Sequence, residues 1–282
     1  MDTLPIVGDG FALRLAQPAR GRTPAIRAAL RRAGQWALPW LLPVALLASW
    51  QAVVWGELVS PQLLVPPGQV LVTFVELVRS GELLEHLRES LGRLAFGFGC
   101  GATAGVLLGT AMGTSPRLEA YAQPFFHAAR QLPTVALIPV FILAFGVEET
   151  FKVLLVAKAC FFAVALSALD GTRNIGRKFL EVAAIYQLPR AVFLRRLVLP
   201  AVVPSVVAGV RISLGRAWMV LVAAELMAAD RGLGQMMEMG RQMFRMDVVL
   251  VGVIVTGTVG LFLDRSVRWI ERRALRWRPA SW

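Results

Sequence analysis

Six stretches of about 20 mostly apolar residues recur along this chain, and an α-helix of that length is what crosses the hydrocarbon core of a bilayer. They occupy residues 36–54, 94–113, 121–145, 150–169, 203–228 and 248–270. Because the bilayer offers no water to backbone N–H and C=O groups, such stretches fold as helices that satisfy their own hydrogen bonds. The expectation is therefore an all-α, polytopic membrane protein with six transmembrane helices. With 56% of 282 residues apolar, an ordinary soluble fold is excluded. Pro124, Pro133 and Pro139 interrupt the third stretch and predict a kinked or broken helix there.

The net charge of +12 would suggest a nucleic-acid partner in a soluble protein, but the positions of the charges give another reading. Nineteen of the 30 Lys and Arg residues fall in the amino-terminal tail, the loops after the second and fourth stretches, and the carboxyl end. Basic residues collect on the cytoplasmic side of membrane proteins, so both termini are expected there. The partner implied is the lipid bilayer, and no nucleic acid. The boundaries that follow are a cytoplasmic tail at 1–35, a membrane domain at 36–270 containing a cytoplasmic loop at 171–201, and a tail at 271–282. The first 35 residues do not read as a cleavable signal, because Arg14 interrupts their short apolar stretch. Two outer segments have helical patterning. One carries Val70, Leu71, Phe74, Val75 and Val78; the other, at 232–246, is too short to span and reads as an interfacial or re-entrant helix.

In the second stretch Gly97, Gly101, Gly105, Gly109 and Gly113 recur at every fourth residue, forming a groove that another backbone can approach closely. Ser205, Gly209, Ser213 and Ala217, and Gly252, Thr256 and Gly260, make similar ridges. Such ridges serve packing within one bundle or an interface between subunits. Charges inside the spans are costly and mark function or pairing. Lys158 either faces a path for an anion, pairs with Glu225 or snorkels, and Arg211, Arg216 and Glu225 are the other candidates for a substrate path. The two cysteines and two histidines, Cys100, Cys160, His86 and His127, stand too far apart in sequence for zinc-ligand spacing, and no metal or cofactor is expected. Without a Gly-x-x-x-x-Gly-Lys-Ser/Thr loop the chain has no P-loop for ATP, so it is not expected to be an enzyme.

The loop after the fourth stretch reads as two short amphipathic helices, the first ending at Tyr186 and the second starting near Pro189, either docking into a partner or lying on lipid headgroups. Its Glu181-Val182-Ala183, with Leu199-Pro200 downstream, resembles the EAA loop of binding-protein-dependent ABC importer permeases. The run from Pro204 to Trp218, continuing to Ala224-Glu225-Leu226, is similar more narrowly to the aliphatic sulfonate, taurine and nitrate permeases, as are Pro66 to Gly113 and Arg130-Gln131-Leu132-Pro133. The resemblance covers residues 60–278. It implies a type-I ABC importer permease fold and passage of a small anionic or organosulfur solute, with a pyrimidine thiamine precursor as an alternative. It also implies three partners: a cytoplasmic ATPase, an external solute-binding protein and a second permease copy, most simply a homodimer. An ion-coupled secondary transporter or a membrane scaffold is the alternative outside the family. The resemblance assigns coupling to the ATPase to Glu181, Val182, Ala183, Gln187, Arg190, Leu199 and Pro200. Val182 stands where the family usually has Ala. Gln187 replaces the family's turn glycine, and holding it at positive φ costs about 1 kcal/mol unless the turn changes shape.

Overall fold

The computed structural model describes residues 41–57, 59–60 and 64–276. Among them every regular element is helical. Helix α1, Leu41–Trp55, is apolar and shorter than a full span; the tail at 1–35 and the start of the first predicted span lie outside the described residues. The chain from Val54 onward forms a separate compact unit. Its elements are α2 (Pro67–Arg79), α3 (Glu82–Thr114), α4 (Pro116–Gln131), a 3-10 turn (Val135–Leu137), α5 (Ile138–Phe145), α6 (Glu149–Arg173), α7 (Arg177–Ile185), α8 (Arg190–Phe193), a π-turn (Leu194–Val198), α9 (Leu199–Met227), α10 (Leu233–Gln242) and α11 (Met246–Ala274). Helices α3, α6, α9 with the segment leading into it, and α11 are each long and apolar enough to cross a membrane.

The glycine ridge explains how the unit is assembled. A Cβ built on Gly97, Gly101, Gly105 or Gly109 would lie 2.7, 2.3, 2.7 and 2.1 Å from the carbonyl oxygens of Val153, Ala157, Phe161 and Ala165 of α6. The fifth, Gly113, meets the Thr172 side chain. Each glycine therefore faces a backbone carbonyl one helical turn beyond the last, and the two helices approach as closely as backbones can. Of the two uses the sequence left open, this ridge serves packing within one chain. Gly209 of α9 meets Ser167, and Gly171 meets Ser205, so the α9 ridge seats on the opposite side of α6. Gly252 of α11 receives Met237 of α10.

These contacts also fix direction. Residue numbers rise together along α3 and α6, so the two helices are parallel, whereas numbers run oppositely between α6 and α9, which are antiparallel. Two parallel spans require the intervening chain to cross back once. That segment is α4 and the short 3-10/α5 piece, bent by 85° at a break between them. The break predicted from proline lies at Leu132–Pro133: Leu132 caps α4 in an extended conformation, Pro124 is accommodated inside α4, and Pro139 sits in the first turn of α5. Ile138, Phe151, Leu155, Val220 and Ala224 form the core that α5, α6 and α9 share.

Two short helices complete the unit. In α2, Val70, Thr73 and Leu77 are buried while Leu71, Phe74, Val75 and Val78 remain exposed, and Thr73 donates to Asp247 of α11 at 2.7 Å. The segment predicted to be interfacial or re-entrant forms α10, which buries Leu233, Met236 and Met237. On its exposed side Arg241 donates to Glu238 and holds that carboxyl down to about 2.

The second of the two short loop helices is corrected. Residues from Arg190 run without a break into the fifth span, and Leu199 and Pro200 begin α9 rather than ending a loop. Pro200 cannot donate to the turn before it, and the π-turn at Leu194–Val198 absorbs that missing hydrogen bond.

Gly109→Val forces its side chain into the Ala165 carbonyl and should destabilise the protein by about 1–3 kcal/mol. Gly99→Ala, where nothing lies within 4 Å, should be neutral or stabilising by up to about 1 kcal/mol. Unfolding of the detergent-solubilised protein by SDS titration measures both.

Candidate functional site

At the end of the bundle where α3 begins, charges are buried and paired. Arg93, 6% exposed in α3, donates to Glu225 of α9 at 2.8 Å and to the Arg231 carbonyl at 2.6 Å, and makes a two-point contact with Glu149 at the start of α6. Glu225, 1% exposed, also accepts from the Ser90 hydroxyl at 2.8 Å and from the Gly234 N–H at 3.1 Å. Ser90 accepts in turn from the Leu233 N–H, and His86 Nδ1 from the Gly232 N–H. Lys152 completes the cluster through Glu149 at 2.9 Å. The loop can close over Glu225 only because Gly232 adopts φ +124°, and because Gly232 and Gly234 leave room where a Cβ would lie 2.5 and 2.6 Å from Glu225. Thus α3, α6, α9 and the loop before α10 are tied at one fully hydrogen-bonded junction. Arg93, one residue outside the predicted span at 94–113, is the centre of it. The signal for it was an arginine directly before a charge-free apolar run.

Among the described residues, a second group of charges has no ion-pair partner. A cleft of about 630 Å³ opens beside the break between α4 and the 3-10 turn. Lys158, about 14 Å along α6 from Glu149 at 1.5 Å per residue, donates from Nζ to the Leu132 carbonyl at 3.0 Å and to Thr134 Oγ1 at 3.3 Å, over the Phe162 ring. It does not pair with Glu225. Arg130 and Arg216 line the same cleft, and no Asp or Glu does. Among the four path candidates the structure therefore brings Lys158 and Arg216 together. Arg211 instead reaches Asp264 and Glu271 of α11, each at 3.4 Å, and Glu225 lies in the junction. Arg130, Gln131 and Thr134 are cleft residues that the sequence did not single out, although a basic residue beside a span-breaking proline marked the place.

At the opposite end from the junction lies the loop of α7 and α8. Its turn is a Schellman motif: the Gln187 N–H donates to the Ala184 carbonyl and the Leu188 N–H to the Ala183 carbonyl, both at 3.1 Å. This geometry requires a left-handed residue after the cap, and Gln187 supplies it at φ +46°. The glycine-type turn is thus kept with a strained residue in it. Glu181, Val182, Ile185 and Tyr186 are exposed on α7, and Ala183 is buried. Arg190 is exposed at the start of α8.

Membrane-length helices packed backbone to backbone, with unpaired cations lining a cleft beside a broken span, define a solute-passing membrane protein. Residues 101–276 match the family described as binding-protein-dependent transport system inner membrane component, and the chain belongs to that family. A Bacillus subtilis protein named for aliphatic sulfonates transport, as a permease, is 39% identical over 86% of this chain and 88% of its own. The Escherichia coli taurine transport system permease is 35% identical over 82% and 86%. In fold the chain is similar to a subunit of the methionine ABC transporter in inward-facing conformations (17% identity, TM-score 0.52, covering 64% of this chain and 93% of that one). It is similar also to an amino acid ABC transporter crystallised with histidines (16%, 0.53, 72% and 96%). Members of the family are permease subunits, and ATP hydrolysis and solute capture belong to separate proteins.

Arg93→Met leaves Glu225 buried without its cation and should cost about 3–5 kcal/mol, whereas Arg241→Met in an exposed pair should leave stability near that of the parent; thermal unfolding in detergent compares them. Gln187→Gly removes the left-handed penalty of about 1 kcal/mol, which corresponds to roughly fivefold slower amide exchange at the α7 turn. Hydrogen–deuterium exchange of a peptide spanning 184–190 reads that change.

Proposed function

We propose that this chain is the permease through which a small organic anion, of the sulfonate type, enters the cytoplasm of a bacterium. The observation that carries this reading is the cleft: three cations, Arg130, Lys158 and Arg216, line one cavity without a carboxylate among its walls. Arg216 is exposed about 25 Å along α9 from Leu199. An unpaired guanidinium at that depth needs water or an anion beside it, as along a solute path. The name of the aliphatic sulfonate relative points to the same class of solute.

The remaining assignments follow the family pattern. The chain works as one of two copies, with the bent α4–α5 segment counted as one crossing and α1 as the first, giving six spans and both termini in the cytoplasm. The exposed face of α7 with Glu181, Val182, Ala183, Gln187 and Arg190, leading to Leu199 and Pro200, docks in a groove of the ATPase. Movement there reaches the cleft through the helix that starts at Arg190.

Proteoliposomes holding the permease with its ATPase and binding protein test this. Labelled alkanesulfonate uptake should require ATP, and Glu181→Ala should lower it about tenfold, as expected if an anchoring contact worth about 1.4 kcal/mol is lost. Uptake that persists without ATP would overturn the reading.

A further inference from the structure

The cleft differs from the buried charges of the unit in how its charges are balanced. Arg93, Lys152, Glu225 and Asp247 are all buried and all partnered. In the cleft, by contrast, Lys158 spends two of its three N–H donors on the neutral Leu132 carbonyl and Thr134 hydroxyl. Arg130 and Arg216 form no ion pair among the described residues. Three like charges facing one cavity repel each other, and a bound anion relieves that repulsion. Apart from Gln131, Thr134 and Ser167 the rest of the wall is apolar, with Phe162, Ile212, Met219 and Val220. It can receive an alkyl group but has no carboxylate to pair with an ammonium.

We propose that Arg130, Lys158 and Arg216 make the permease itself a selectivity filter, which admits an anion with an uncharged apolar tail and rejects a zwitterion such as an aminosulfonate. This rests on the reading of the chain as an anion permease. The anionic head takes the free donor of Lys158 together with a guanidinium, while the tail lies against Phe162 and Met219. The amino group of a zwitterion would be stripped of water and brought beside cations, with no carboxylate to compensate. That juxtaposition corresponds to a preference of roughly tenfold or more for the simple anion. Selection by charge at this depth is distinct from any choice made by an external binding protein.

Saturation-transfer NMR on the purified permease–ATPase complex in nanodiscs, without binding protein, tests the filter with butanesulfonate, taurine and 1-butanol as probes. Saturation of the butanesulfonate methyl should exceed that of butanol and of the taurine methylenes, and Lys158→Gln and Arg216→Gln should each reduce it several-fold while melting temperatures stay near that of the parent. Met219→Glu, which adds a carboxylate to the apolar wall, should shift the ratio toward taurine. Equal saturation by taurine and butanesulfonate in the parent, or a ratio unmoved by all three variants, overturns the filter. ATP-driven uptake in proteoliposomes is scored separately. Uptake that persists with a non-selective cleft sinks the filter and leaves the transport reading standing, whereas a selective cleft without ATP-dependent uptake does the reverse.

Discussion

The approach of α3 to α6 is the constraint on which the rest of the unit depends. Without side chains at Gly97, Gly101, Gly105 and Gly109, the carbonyls of α6 sit where Cβ atoms would otherwise stand. In a bilayer, where apolar side chains gain little by leaving lipid for protein, that close packing over several turns is the main attraction available. It sets the two helices parallel, which obliges the chain between them to cross back as a bent, interrupted segment. The interruption in turn frees the Leu132 carbonyl that Lys158 occupies. A repeat of glycines in one helix thereby leads, step by step, to a cation beside a cleft made by a different helix.

The unit uses charge in two opposite ways. At the Arg93 junction Arg93, Lys152 and Glu225 are enclosed and every ion is paired, so the cost of leaving water is offset locally and the helices α3, α6 and α9 are held in register. In the cleft the cations lack acidic partners and depend on water or a visiting anion. Fixed geometry at one place and an unmet electrostatic demand at the other divide the molecule into a part that holds and a part that binds.

The all-helical class, four of the six predicted spans and the proline break were legible because each follows from a local rule: apolar length or a missing donor. The glycine repeat was legible as a groove, but which surface filled it was not, since that depends on the partner helix. Charges were the least legible. Lys158 and Glu225 both stood out as costly, yet their partners lie on other helices, and sequence spacing carries no information on which of several cations reaches a given carboxylate. Arg93 fell just outside the predicted span because hydropathy alone marks where apolar residues begin, whereas the helix extends a further three turns to Glu82. The second loop helix was misjudged for a related reason. Proline at the start of a helix and proline ending a loop look alike in sequence, and only a continuous backbone separates them.

The π-turn between α8 and α9 has a rotational consequence. A π-turn holds one residue more than an α-turn, so every side chain beyond Val198 is turned by about 100° relative to an uninterrupted helix. The face that α8 turns outward and the face that α9 turns to the cleft are thus out of phase by a fixed angle. Because Gly209 and Glu225 fix the rotation of α9 against α6 and α3, that one backbone hydrogen-bond register sets which way the side chains of α8 face relative to Arg216 in the cleft.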